Sequence, residues 1–129
     1  MSDLASPIAR LEASLSTKIG SSFNLDEVPD VIDLLLRSKR SPATRREYKK
    51  DLNKFFQAVA HEQPNRDLVL EFLHLEQNQA VQLVLSYKAQ LIEGGLAEAT
   101  VNRRLAAIKA LTAQGRKIGV CSFTLIDYR

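Results

Sequence analysis

The chain has 129 residues, 45% of them hydrophobic and 26% charged, which is enough apolar material for one globular domain with its own core. No apolar run is long enough to cross a bilayer, so no membrane partner is expected. The lone cysteine, Cys121, excludes an internal disulfide and fits a reducing compartment. Asp3 stands where a secretory signal would carry cations, so no such signal is expected and the expected location is the cytoplasm. Scarce Gly and Pro beside many Leu, Ala, Lys and Arg favour an all-α fold.

In residues 1–24, Leu4, Ile8, Leu11, Leu15 and Ile19 recur every three or four positions. With Ser6-Pro7 as a start signal, the spacing predicts a short helix over 7–19 in an N-terminal extension. A second helix is predicted over 26–38, with Val28, Val31, Ile32, Leu35 and Leu36 as its apolar side. Its acids, Asp26, Glu27, Asp30 and Asp33, gather at the start, and Arg37 and Lys39 at the end. The helix dipole accounts for that order, so the acids are not read as a metal site.

Ser41-Pro42 opens a helix predicted over 42–60: a hydroxyl cap, then a proline where no N–H is needed. Tyr48, Leu52, Phe55, Phe56 and Val59 form its core side. Arg46, Lys50 and Lys54 make a cationic row opposite, and Arg45 and Lys49 flank the apolar stripe. After a loop over 61–66, Asn65 or Asp67 caps a helix through Leu68, Val69, Phe72 and Leu73. A break is predicted over 76–79. A long helix then runs to Glu93, with Val81, Val84, Leu85, Lys88, Leu91 and Ile92 setting its period, and Gly94-Gly95 ends it.

The last helix begins near Thr100 and is predicted to stop near Gly115. Val101, Leu105, Ile108 and Thr112 should face the core. Thr100, Arg103, Ala107 and Ala110 form a second, low-relief side, with Asn102 and Lys109 between the two. Such a helix could lie close to a polyanion.

Net charge is only +3, but it is unevenly placed. Residues 37–54 hold eight cations against Glu47 and Asp51, and residues 100–117 hold five cations and no acid. The rest of the chain is therefore strongly acidic. Two basic segments flanking an acidic one point to a face for an anionic polymer.

No chemistry is apparent. His61 and His74 lack a second ligand at metal-binding spacing. Gly94-Gly95 is not followed by Lys-Ser/Thr, and Cys121 has no Cys or His neighbour. Neither a metal nor a cofactor is expected, and nothing supports an independent enzyme.

Two stretches carry a resemblance. Ser41-Pro-Ala-Thr-Arg-Arg-Glu-Tyr-Lys-Lys-Asp-Leu-Asn-Lys-Phe-Phe56 resembles the first helix of the core-binding domain of tyrosine recombinases, the phage integrase family. There a Ser/Thr-x-x-Thr-x-x-x-Tyr-x-x-x-Leu-x-x-Phe pattern recurs. Gly95-Leu-Ala-Glu-Ala-Thr-Val-Asn-Arg-Arg-Leu-Ala-Ala-Ile-Lys109 resembles its last large helix, where Thr-x-Asn-Arg-x-Leu-x-Ala-Ile/Leu recurs. Ala-Glu-Ala replaces the Ser-Pro-x that often precedes that threonine. The likeness covers about residues 38–117, and the tail to Tyr128-Arg129 resembles a connector towards a catalytic domain.

The resemblance implies a compact SAM-like bundle of four to five helices over residues 25–117, forming one half of a clamp on double-stranded DNA. Residues 118–129 would lead to the other, catalytic half. Helices 42–60 and 97–114 would approach the major groove. The matching contact candidates are Ser41, Thr44, Arg45, Lys49, Thr100, Asn102, Arg103 and Lys109, with Arg46, Arg104, Arg116 and Lys117 after them. The other partners implied are further recombinase protomers on the DNA. The family's catalytic residues do not carry over: neither histidine is followed by the expected Arg, and Tyr128 is one residue from the end. The chain is expected to bind DNA without cutting it. The competing reading is a helical protein-interaction or oligomerisation module, whose functional surface would be the apolar side of residues 1–24.

Overall fold

Three of the five described helices begin at a residue whose side chain caps them, and the last begins after Ala97 without such a cap. The computed structural model describes residues 30–125. The helix expected over 7–19 and the end of the expected connector lie outside them. Helix α1, Val31–Arg37, starts later than the predicted 26 because Asp30 has extended backbone and its carboxylate accepts from the Asp33 N–H. Helix α2, Pro42–Ala60, has the predicted bounds, with Ser41 Oγ accepting from the Thr44 N–H at 3.3 Å. Asn65, not Asp67, caps α3, Arg66–Leu73, through a 2.8 Å bond from the Leu68 N–H. Helix α4, Gln77–Glu93, starts earlier than expected: the Gln79 side chain accepts from the Glu76 N–H, so the break shrinks to three residues, 74–76. Gly95, at φ +84°, supplies the left-handed turn after α4.

Helix α5, Glu98–Lys117, passes through Gly115 instead of stopping there. A Cβ on Gly115 would stand 3.0 Å from Leu73 Cδ1 and 3.1 Å from Cys121 Cβ. This glycine permits close packing; the turn belongs to Gly119, at φ +80°.

The described residues form five helices and no strand. The chain is all-α, as expected. Helix α5 packs against α1, α2 and α4. At the centre Phe55 meets Phe56, Phe72 and Tyr87 edge to face, with centroids 5.1, 5.2 and 5.1 Å apart. Leu52, Phe55, Phe56, Val101, Leu105, Ile108 and Thr112 are buried as the periodicity predicts. Thr112 is tolerated there because its hydroxyl donates to the Lys109 carbonyl at 2.9 Å.

Helix α4 is turned differently from the reading. Its buried residues are Ala80, Val84, Tyr87 and Leu91, while Leu85 and Ile92 are exposed. Large apolar residues lie on both sides of α4, so their period does not single out one face. Past α5 the chain folds back on the core: Cys121, Phe123 and Leu125 are buried, and Phe123 stacks edge-on against Phe72 at 5.5 Å. The Gln77 side chain exchanges two hydrogen bonds with the Thr124 backbone, at 2.8 and 3.0 Å. Burial pushes the Cys121 thiol above its ordinary pKa. No described helix is long and apolar enough to cross a membrane.

Leu105→Ala should lower stability by about 2–5 kcal/mol in urea denaturation. A neutral result would contradict the orientation of α5. Gly115→Ala should also destabilise, by about 1 kcal/mol, because the new methyl crowds Leu73 and Cys121 by more than the gain in helix propensity offsets.

Candidate nucleic-acid interface

Helices α2 and α5 pack side by side, so the two basic segments of the sequence meet. They are joined by a charged pair. Arg103 on α5 donates from Nε to Asp51 Oδ2 and from Nη2 to Asp51 Oδ1, each at 3.0 Å. Asp51 is only 2% exposed, whereas the Arg103 side chain is 45% exposed. The hydrogen bonds to Asp51 hold the Arg103 guanidinium above its ordinary pKa. Arg103 Nη1 lies 3.9 Å from Glu47 Oε1, and Glu47 in turn pairs with Lys50 at 3.2 Å.

The sequence places Asp51 on the core side of α2. Thr44, Tyr48, Asp51 and Phe55 follow the spacing i, i+4, i+7, i+11, which is one helical face. A carboxylate on such a face needs a partner that stays charged, and an arginine of a neighbouring helix provides one. Ala43, Thr44, Tyr48 and Ala106 complete a shallow groove of about 330 Å³ around the pair.

The other candidate residues divide into two groups. Arg45 is half-buried and donates to the carbonyls of Lys39 and Arg40, bracing the turn before α2. Arg104 is half-buried; burial pushes the Tyr87 phenol above its ordinary pKa and the Arg104 cation partly offsets this, although Tyr87 Oη and Arg104 Nε are each buried without a hydrogen-bond partner among the described residues. Arg116 donates to the Phe123 carbonyl at 3.2 Å. These three cations have work inside the fold. Arg46, Lys49, Lys117 and Asn102 are exposed, and Lys54 stands exposed beside them. Arg46, Lys49 and Lys54 form no ion pair with any described residue. Ser41 is exposed at the start of α2, Thr44 and Thr100 are half-buried at the first turns of their helices, and Lys109 is half-buried on α5.

Helical rotation separates these groups further. Arg46, Lys50 and Lys54 line the outer side of α2, while Lys49 is about 160° round the helix from Asp51, away from the α5 seam. The low-relief side of α5 is also shifted from the reading. Ala107 is 1% exposed and Ala110 half-buried, because neighbouring helices cover them; the small exposed residues are Ala99 and Ala106. Sequence reasoning sees Asp51 only as a charge, and Lys50 and Lys54 only as a row; the signal for Asp51 is its place between Tyr48 and Phe55 on the inner face of α2. Among the described residues no cluster of His, Cys, Asp and Glu could hold a metal.

Residues 31–115 match the model of the phage integrase N-terminal SAM-like domain. A tyrosine recombinase of Synechocystis sp. is 47% identical over 98 residues, covering 76% of this chain and 31% of that protein. A tyrosine recombinase of Synechococcus elongatus is 45% identical over 100 residues, covering 78% of this chain and 31% of that protein. The chain thus spans about a third of the length of these relatives. No solved structure matches it significantly.

Removing the arginine of the pair should cost more than its exposure suggests. Arg103→Ala strands a buried carboxylate and should cost about 2–3 kcal/mol at neutral pH. Thermal melts of both proteins check it.

Proposed function

The chain belongs to the phage integrase family, and from that membership we propose that it is the DNA-gripping, core-binding unit of a site-specific tyrosine recombinase. The observation that carries the reading is the meeting of α2 and α5. Two cation-rich segments, far apart in sequence, lie against each other, and their outward residues include Arg46, Lys50, Lys54, Asn102 and Lys117. Cations spaced along adjacent helices can neutralise successive phosphates and release their counterions. Ser41 and Thr44 add hydroxyl and backbone donors at the α2 N-terminus, where the helix dipole favours an anion.

In this reading residues 25–117 form the grip, and residues 118–129 lead towards the part of the parent protein that carries the chemistry. The domain holds the recombination site and leaves strand cleavage to that part. The matched relatives are named tyrosine recombinases and are about two and a half times as long. The partners are duplex DNA and, in the parent protein, further protomers on the same DNA. The location is the cytoplasm, at the nucleoid when DNA is bound. The cations divide in role: Arg45, Arg104 and Arg116 brace the fold, while Arg46, Lys49, Lys54 and Lys117 face phosphates. Thr100, in the first turn of α5, and Lys109, near its middle, are secondary contacts.

Duplex binding should weaken steeply between about 50 and 200 mM salt, with a log–log slope near −0.9 per phosphate contact. Arg46→Ala with Lys54→Ala should reduce that slope by about 1.8 and leave the melting temperature unchanged. A gel-shift titration at several salt concentrations measures both. Binding that ignores salt would overturn the reading in favour of a protein-interaction module.

A further inference from the structure

We propose that Asp51 is a positioning residue: it grips one edge of the Arg103 guanidinium and so aims the opposite edge at a guanine of the bound duplex. This rests on the DNA-binding reading above and goes beyond it by naming a base and the residues that select it.

A guanidinium offers five N–H groups on a rigid planar fork. Asp51 takes the inner edge, Nε–H and one Nη2–H, at 3.0 Å each. The outer edge, a parallel pair of N–H groups on Nη1 and Nη2, makes no hydrogen bond among the described residues. Glu47 Oε1, at 3.9 Å from Nη1, is beyond hydrogen-bond reach. The anchor is buried and the tip is open, with Asp51 at 2% and Arg103 at 45% exposure. Ala43 and Ala106 are small, so the groove of about 330 Å³ leaves the outer edge approachable.

A solvent-borne arginine must lose rotamer freedom before it can make two bonds at once. Arg103 has already lost it, because two hydrogen bonds to an immobile carboxylate set both its position and its plane. Two parallel N–H donors match two neighbouring acceptors, either the O6 and N7 of guanine or two oxygens of a phosphate. Glu47 decides between them. Its carboxylate repels a charged phosphate brought to the outer edge more strongly than the partly negative O6 and N7 of an uncharged base. Reading O6 and N7 would bring this seam to the major groove, where those atoms are displayed.

The test uses the chain itself with duplexes selected from a random pool, then a panel varying each position of the preferred site. The wild type should favour guanine at one position by about ten-fold or more, ordinary for a single bidentate arginine–guanine pair. Asp51→Asn keeps the shape but removes the anchoring charge, and Arg103→Lys keeps a cation but removes the paired edge. Both should erase that preference while retaining affinity for random duplex to within a few-fold. Lys54→Ala should instead weaken all sequences equally. Circular dichroism establishes that each variant is folded; if Asp51→Asn is not, Arg103→Lys decides alone. A wild type that binds without any guanine preference overturns the proposal, as does a preference that survives the decisive variants. Arg103→Lys weakening every duplex equally would assign the edge to a phosphate and also overturn it. A wild type with no salt-dependent duplex binding fails earlier, at the DNA reading itself.

Discussion

The pairing of Arg103 with Asp51 is the constraint on which the arrangement of the two basic helices depends. Asp51 is buried on α2, and a buried carboxylate without a cation would be costly enough to open the structure or take up a proton. Its partner must come from a neighbouring helix, and the bidentate geometry leaves little freedom in how α5 lies against α2. Apolar packing alone would allow some sliding and rotation. The charged pair selects one register, and that register determines which cations of each helix face outward.

The same pair eases a conflict built into the sequence. Two helices rich in lysine and arginine repel each other when packed side by side. Asp51 and Glu47 stand at the seam and neutralise the cations nearest to it, while Lys50 shares Glu47. Arg45 and Arg116 donate hydrogen bonds to backbone carbonyls, Arg116 while remaining exposed, and Arg104 is half-buried. What remains outward is a smaller set of cations than the sequence counts suggest, spaced along the surface of α2 and the end of α5. Charge totals thus overstate the number of groups available to a polyanion, and burial and pairing must be subtracted first.

Beneath this surface the core is aromatic and tightly interlocked. Phe55 and Phe56 of α2, Phe72 of α3, Tyr87 of α4 and Phe123 beyond α5 meet edge to face, so α2, α3, α4 and the segment after α5 share one centre. Gly115 lets that segment close onto α3. The cation-bearing helices are therefore mounted on a rigid support. Such a support would suit the proposed DNA-binding surface, whose side chains would have to hold fixed positions relative to a duplex.

Much of this was legible in the residues alone. Ser41-Pro42 and Gly94-Gly95 marked helix limits by local backbone chemistry, and the stripe of Val101, Leu105, Ile108 and Thr112 marked the inner face of α5. Those features depend on neighbours within one or two helical turns, which a linear pattern contains. The inner face of α4 did not show itself, since apolar residues lie on both its sides and only the packed neighbours choose between them. Gly115 read as a stop because its crowding against Leu73 and Cys121 comes from residues distant in sequence. The sequence by itself determined the helices, their order and the two concentrations of positive charge. Only the tertiary structure decided which cations are spent on holding the fold and which face outward, because a charge takes its partner through space and Arg103 finds its own fifty-two residues away.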